Sequence, residues 1–168
     1  YPDPCGKTIC ELLTLDAGQA FEQRRGNCMS FTALFIALSR ALGLRTFLVS
    51  VSRPPDFDHD EGLVVINRHV VAGYLDAGQL HIFDFYRRSD MPYMVNRIID
   101  DLKATAMYHT NLGGAAIRGG DLATARRHLE LASRIEPELE AVWVNLGVVR
   151  FRQGEIEPAM EAYRRALE

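Results

Sequence analysis

The chain has no long apolar run. Its greasiest stretch, Phe31 to Leu42, is broken by Thr32, Ser39 and Arg40, and it falls short of the roughly 20 residues a helix needs to cross a bilayer. Cysteine is scarce, with three in 168 residues, which excludes a small scaffold stapled by disulfides. Lysine is nearly missing. Lys7 and Lys103 are the only two, and the other basic residues are arginine, a bias we read as genomic rather than chemical. A dominant charge is lacking too: 19 basic residues against 22 acidic ones leave a net charge of −3. The surface is therefore expected to be mixed, with no field that draws nucleic acid. The chain has no initiator Met, and no basic start followed by an apolar run, so no signal peptide is read. Tyr1 reads as the start of a processed or trimmed chain.

What is present is an ordinary globular balance, 48% apolar and 24% charged, in a length suited to one domain or two small ones. A repeat decides between them. Shifting the chain by 34 residues lays Asn111-Leu112-Gly113 on Asn145-Leu146-Gly147. Arg118, Gly120, Ala125 and Ala132 fall on Arg152, Gly154, Ala159 and Ala166, and His109 falls on Trp143. Small residues at these places let two helices approach, and Gly120 and Gly154 end each first helix. Asp121 and Glu155 follow at the start of each second helix, where negative charge suits the dipole. The pattern resembles the tetratricopeptide repeat, a helix–turn–helix unit, with Trp143, Tyr163 and the closing Pro137 at that family's spacing. The second unit stops short of a closing proline and reads as truncated. Stacked units of this kind need about three members to stand alone. The resemblance implies a groove that recruits a protein or peptide, with Trp143 packed in the repeat's own core.

Residues 1 to 104 show no repeat. Asp16 to Arg25 reads as a short helix ended at Gly26. From Cys28 onward, Phe31, Leu34, Phe35, Leu38 and Leu42 recur at helical spacing, with Gly43 as the stop. Strands are expected at Thr46–Val51, Leu63–Ile66, His69–Leu75 and Leu80–Tyr86, the last two joined by a turn within Asp76–Gln79. The order of elements predicts an α+β domain over 1–104 and an all-α helical array over 105–168.

Cys28 is the foremost candidate for chemistry. A thiol that opens a helix faces unpaired N–H groups and the positive end of the dipole, which favour the nucleophilic thiolate. The same N–H groups could hold an oxyanion. A nucleophilic cysteine needs a base, and the base needs an orienting group. With a two-residue turn, Leu75 faces Leu80, and His69, Val71, Gly73 and Leu75 share a face with Leu80, Ile82 and Asp84. Asp84 then lies diagonal to His69, within reach of its imidazole. His81 points to the opposite face. A three-residue turn would flip the parity and separate the pair.

The run Arg25-Gly26-Asn27-Cys28-Met29-Ser30-Phe31, followed by Ala37 to Leu44, resembles the nucleophile helix of the transglutaminase-like superfamily. Asn67-Arg68-His69-Val70 and Ile82-Phe83-Asp84-Phe85 resemble its histidine and aspartate strands, in the same order. The resemblance implies a papain-like core, a nucleophile helix packed on an antiparallel sheet. It implies Cys28 as nucleophile, His69 as base and acid, and Asp84 as orienter. Gln23 is a weak candidate for an oxyanion donor. With the repeats behind it, the chain is similar to bacterial proteins that join this domain to tetratricopeptide repeats, in the cytoplasm or periplasm. The expected activity is a cysteine peptidase or amidase, with crosslinking as the transferase variant. No cofactor and no metal are expected. The alternative is a silent interaction scaffold, motivated by Val70-Val71 after the histidine and Phe85 after the aspartate, where many members carry an aromatic and a proline. A third, weaker reading is a metal-dependent hydrolase using His59. Asp56, Asp58, His59, Asp60 and Glu61 make an acidic stretch expected to be a solvated loop, and Cys5 and Cys10 could pair or stay reduced. Oligomeric state is left open.

Overall fold

The structure, a computed structural model, describes residues 13–52, 57–60, 63–66, 69–85, 93 and 95–168. The chain is a mixed α/β protein in two compact units, Tyr1–Asp100 and Asp101–Glu168. In the first unit, helices α1 (Ala17–Gln23) and α2 (Cys28–Ala41) precede strands β1 (Thr46–Ser52), β2 (Phe57–Asp60), β3 (Leu63–Ile66), β4 (His69–Asp76), β5 (Gln79–Phe83) and β6 (Val95–Ile99). In the second, α3 (Asp101–Arg118), α4 (Leu122–Ile135), α5 (Glu140–Arg152) and α6 (Ile156–Arg165) follow one another. The break falls a few residues earlier than position 104, because β6 runs to Ile99 and α3 starts at Asp101. Strand β6 has no counterpart in the expectations drawn from the sequence.

Four strands form an antiparallel sheet in the order β5-β4-β1-β6, and β2 and β3 form a separate antiparallel pair. The β4–β5 hairpin pairs Leu75 with Leu80 and Tyr74 with His81. Its turn holds two residues, Ala77 at φ 48° and Gly78 at φ 83°. Positive φ at both central positions is what a two-residue hairpin of the right twist requires. Alternation then buries both faces of the sheet. Val49, Val51 and Val71 cluster on one face, with Leu80, Ile82 and Tyr93 packed on them. Leu48, Val70 and Ala72 are buried on the other, and α2 packs on β4 and β1.

Two local expectations are corrected. The acidic stretch is not a loop through its middle, since Phe57–Asp60 is β2, paired from Phe57↔Ile66 to Asp60↔Leu63. Its backbone groups go to that ladder, and Asp56 and Glu61 lie outside the described residues. The buried face of α2 is also not the one its apolar spacing predicts. Met29, Ser30, Thr32, Ile36 and Ser39 are buried, whereas Leu38 is 53% and Leu42 79% exposed. The helix is turned by hydroxyl hydrogen bonds at its start, described below, rather than by its largest apolar residues. Helix α1 ends at Gln23 with Arg24 left-handed at φ 54°, so the stop comes before Gly26. Strand β5 ends at Phe83, and Tyr86, Cys5 and Cys10 lie outside the described residues.

The second unit is two helical hairpins related by the 34-residue shift. Gly120 and Gly154 sit at φ 77° and 81° after α3 and α5. The Asp121 side chain caps α4 by accepting from the Thr124 N–H at 3.0 Å, while Glu155 makes no side-chain cap to α6. A Cβ on Gly113 would lie 2.6 Å from Leu129 Cγ, and one on Gly147 would run into the Tyr163 ring. Each glycine thus lets the two helices of its hairpin close on the same repeat position. Trp143 departs from its expected place in the core. Its Nε1 donates to Pro137 O at 2.6 Å, and the Arg165 guanidinium lies 4.8 Å from its ring centre. Trp143, Arg126, Arg150 and Arg165 help line a cavity of about 490 Å³. Among the described residues no helix is long and apolar enough to cross a membrane.

Candidate active site

The start of α2 is built by short-range chemistry. Asn27 caps the helix, its Oδ1 accepting from the Ser30 N–H at 3.1 Å. The Asn27 Nδ2 donates to Thr14 Oγ1 at 2.7 Å, and its backbone N–H to Leu13 O at 2.9 Å. Ser30 Oγ accepts from the Leu15 N–H at 2.8 Å and donates to Asn27 Oδ1 at 3.1 Å. Asn27 and Ser30 are both buried, so these bonds satisfy groups that burial would otherwise penalise by about 1–3 kcal/mol each. Gly26, at φ 150°, comes so close that a Cβ would sit 2.5 Å from Ser30 Cβ. One turn on, Thr32 Oγ1 donates to Val70 O at 3.1 Å. That bond ties the helix to β4 at the residue after His69. Cys28, a half-buried free thiol, is thereby held at the helix start against the beginning of β4.

The three residues singled out from the sequence come together. The Cys28 thiol and the His69 imidazole lie close enough to interact through their side chains. His69 Nε2 lies 2.8 Å from Asp84 Oδ1, with the histidine side chain 21% and the aspartate 9% exposed. Asp84 follows β5 directly, on the line of the hairpin register that would set it opposite Val71. With Nε2 occupied by the carboxylate, Nδ1 is the ring nitrogen left for the thiol. Burial alone would push the His69 imidazole toward its neutral form. The hydrogen bond and charge of Cys28, then those of Asp84, outweigh it, so His69 keeps its proton to a higher pH than an ordinary histidine.

Tyr93, which precedes β6, is a fourth member that the sequence did not reveal. Its hydroxyl donates to Asp84 Oδ2, its ring centre is 6.2 Å from that of His69, and it packs on the Val49–Val51–Val71 cluster. No motif marks it, because it is delivered by a strand that had not been recognised. Asn27 and Ser30 were legible only as neighbours of Cys28, although Asn before a helical run is a cap signal. Gln23 sits exposed at the end of α1, and among the described residues its hydrogen bond is with Arg25 Nε, at 3.1 Å. Among the described residues no group of three or more His, Cys, Asp or Glu side chains is placed to hold a metal ion.

No family model matches the chain, and the curated proteins yield no match to it.

Proposed function

We propose that the first unit is a thiol-dependent acyl-transfer enzyme of the transglutaminase-like type, acting as a cysteine peptidase or amidase. The observation that carries this reading is the connected line Cys28–His69–Asp84, ordered as nucleophile, base and orienting carboxylate. Cys28 Sγ attacks the carbonyl carbon of an amide as a thiolate, and a C–S bond forms. The carbonyl oxygen gains the negative charge. The backbone N–H groups best suited to meet it are those of Cys28 and Met29, since the Ser30 N–H is taken by Asn27 Oδ1 and the Phe31 N–H by Asn27 O. This replaces Gln23 with backbone donors, as helix N-termini provide them. The C–N bond then breaks, and His69 gives its proton to the leaving amine. Water attacks the thioester, His69 takes the water's proton, and the C–S bond breaks to release a carboxylic acid. Asp84 holds the imidazole in the orientation both proton transfers need.

The helical hairpins of the second unit support a tetratricopeptide reading through the 34-residue match and the paired close approaches at Gly113 and Gly147. In this reading they recruit a protein or peptide substrate. The test is an electrophilic cysteine probe and a panel of peptide amides, with wild type beside Cys28→Ala. Amide hydrolysis by wild type and none by the folded variant supports the enzyme. Equal biological effect of the two proteins, with no hydrolysis by either, favours a scaffold.

A further inference from the structure

The Asp84 carboxylate is engaged on both oxygens, and among the described residues its hydrogen-bond partners come from different parts of the sheet. Oδ1 accepts from His69 on β4, at 2.8 Å. Oδ2 accepts from the Tyr93 hydroxyl just before β6. A short carboxylate held at one oxygen can still rotate about its last bond, whereas a donor on each oxygen fixes the plane of the group. A hydroxyl on Oδ2 also draws negative charge toward that oxygen, and hydrogen bonds to a charged form stabilise it. Oδ1 is then a weaker acceptor for an imidazolium than the same carboxylate without the hydroxyl. Among the described residues, the titratable groups facing His69 are Cys28 from α2, Asp84 after β5 and Tyr93 before β6.

We propose that Tyr93 is a positioning residue of the Cys28–His69–Asp84 triad, whose hydroxyl fixes the Asp84 carboxylate and sets the strength of its bond to His69. The proposal rests on the acyl-transfer reading for its meaning, but its test does not need turnover. In this role Tyr93 acts through Asp84. It keeps Nε2 of His69 as the donor to Asp84 and Nδ1 turned to the thiol. It also restrains how firmly the imidazole keeps its proton, which matters because His69 must release that proton to the leaving group.

The experiment is an NMR titration of the histidines in the full chain, comparing wild type, Tyr93→Phe, Asp84→Asn and the double variant. In Tyr93→Phe the His69 midpoint should move upward. In the Asp84→Asn background, removing the hydroxyl should add no further shift. A second measurement uses wild type grown with 3-fluorotyrosine, whose more acidic hydroxyl donates more strongly and should move the His69 midpoint downward. It carries the test if Tyr93→Phe does not fold. An unmoved His69 midpoint in either folded protein overturns the proposal, as does an equal shift of Tyr93→Phe in the Asp84→Asn background. Failure of the acyl-transfer reading shows separately, as an absence of amide hydrolysis in wild type with the titration shifts intact.

Discussion

His69 Nε2 and Asp84 Oδ1 stand 2.8 Å apart across the end of the β4–β5 hairpin. The imidazole's other nitrogen is thereby left for the half-buried thiol of Cys28. An isolated thiol is only a few per cent thiolate at pH 7. His69 beside the thiol is a base that can take its proton. Alkylation of Cys28 by iodoacetamide at pH 7, followed peptide by peptide so that Cys5 and Cys10 are counted apart, should therefore slow about tenfold in His69→Ala. Equal rates in the two proteins would mean that the thiol is not activated by its neighbour. Where amide hydrolysis is found, the same variant should lower it by about 10²–10⁴-fold, the usual worth of a positioned acid–base group.

A stability consequence follows from the upward direction of the His69 shift. A group that holds its proton more tightly folded than unfolded stabilises the fold at low pH and loses that contribution as pH rises through the folded value. The benefit is complete below about 6.5, the ordinary histidine value, and fades at higher pH as the folded His69 deprotonates. Protection factors of the β4 amides Val70, Val71 and Ala72 should exceed those of His69→Gln most at acid pH. The difference should shrink once His69 is neutral. A difference that grows with pH would contradict the sign.

The strongest sequence signals were periodic or local. The 34-residue shift placed Gly120 and Gly154 at the ends of α3 and α5, and both adopt positive φ. The two-residue turn at Ala77-Gly78 fixed the hairpin register, and with it the face shared by His69 and Asp84. What was not legible depended on partners distant in sequence. The inner face of α2 is chosen by Thr32 reaching Val70 O, 38 residues away, not by the large apolar side chains that dominate a periodicity count. Tyr93 reaches Asp84 because β6 pairs with β1 from Ser52↔Val95 to Leu48↔Ile99, a pairing of distant segments that no local pattern announces. Trp143 packs over an arginine and a backbone carbonyl, which a repeat consensus does not specify.

Gly26 and Asn27 should be the most sensitive positions beside the nucleophile. Alanine at Gly26 must take φ 150° and meet Ser30 Cβ at 2.5 Å, an overpacking of the kind that costs about 1–3 kcal/mol. Asn27→Ala removes the cap, worth about 0.5–2 kcal/mol, and also leaves Thr14 Oγ1 without this donor. Both variants should lose protection at the α2 amides and slow the hydrolysis of amides where it is found. Asn27→Asp keeps the acceptor for the Ser30 N–H and should retain most of the helix protection. Full protection in Gly26→Ala would show that the loop before Cys28 yields more easily than its close packing implies.

The paired glycines of the second unit are both buried but meet neighbours of different exposure. In Gly113→Ala the new methyl meets Leu129 Cγ, on a side chain with no exposure. In Gly147→Ala it meets the ring of Tyr163, which is 37% exposed and has room to swing away. Both gain about 0.8–1 kcal/mol of helix propensity over glycine. Overpacking of about 1–3 kcal/mol should exceed that gain at position 113, where the neighbour cannot retreat. At position 147 the two should nearly cancel. Trp143 is the single tryptophan of the chain and lies in this unit, so its fluorescence in a urea titration reports the second unit directly. The expected order of midpoints is Gly113→Ala well below wild type and Gly147→Ala close to it. The reverse order would show that the Tyr163 ring yields less readily than the Leu129 side chain.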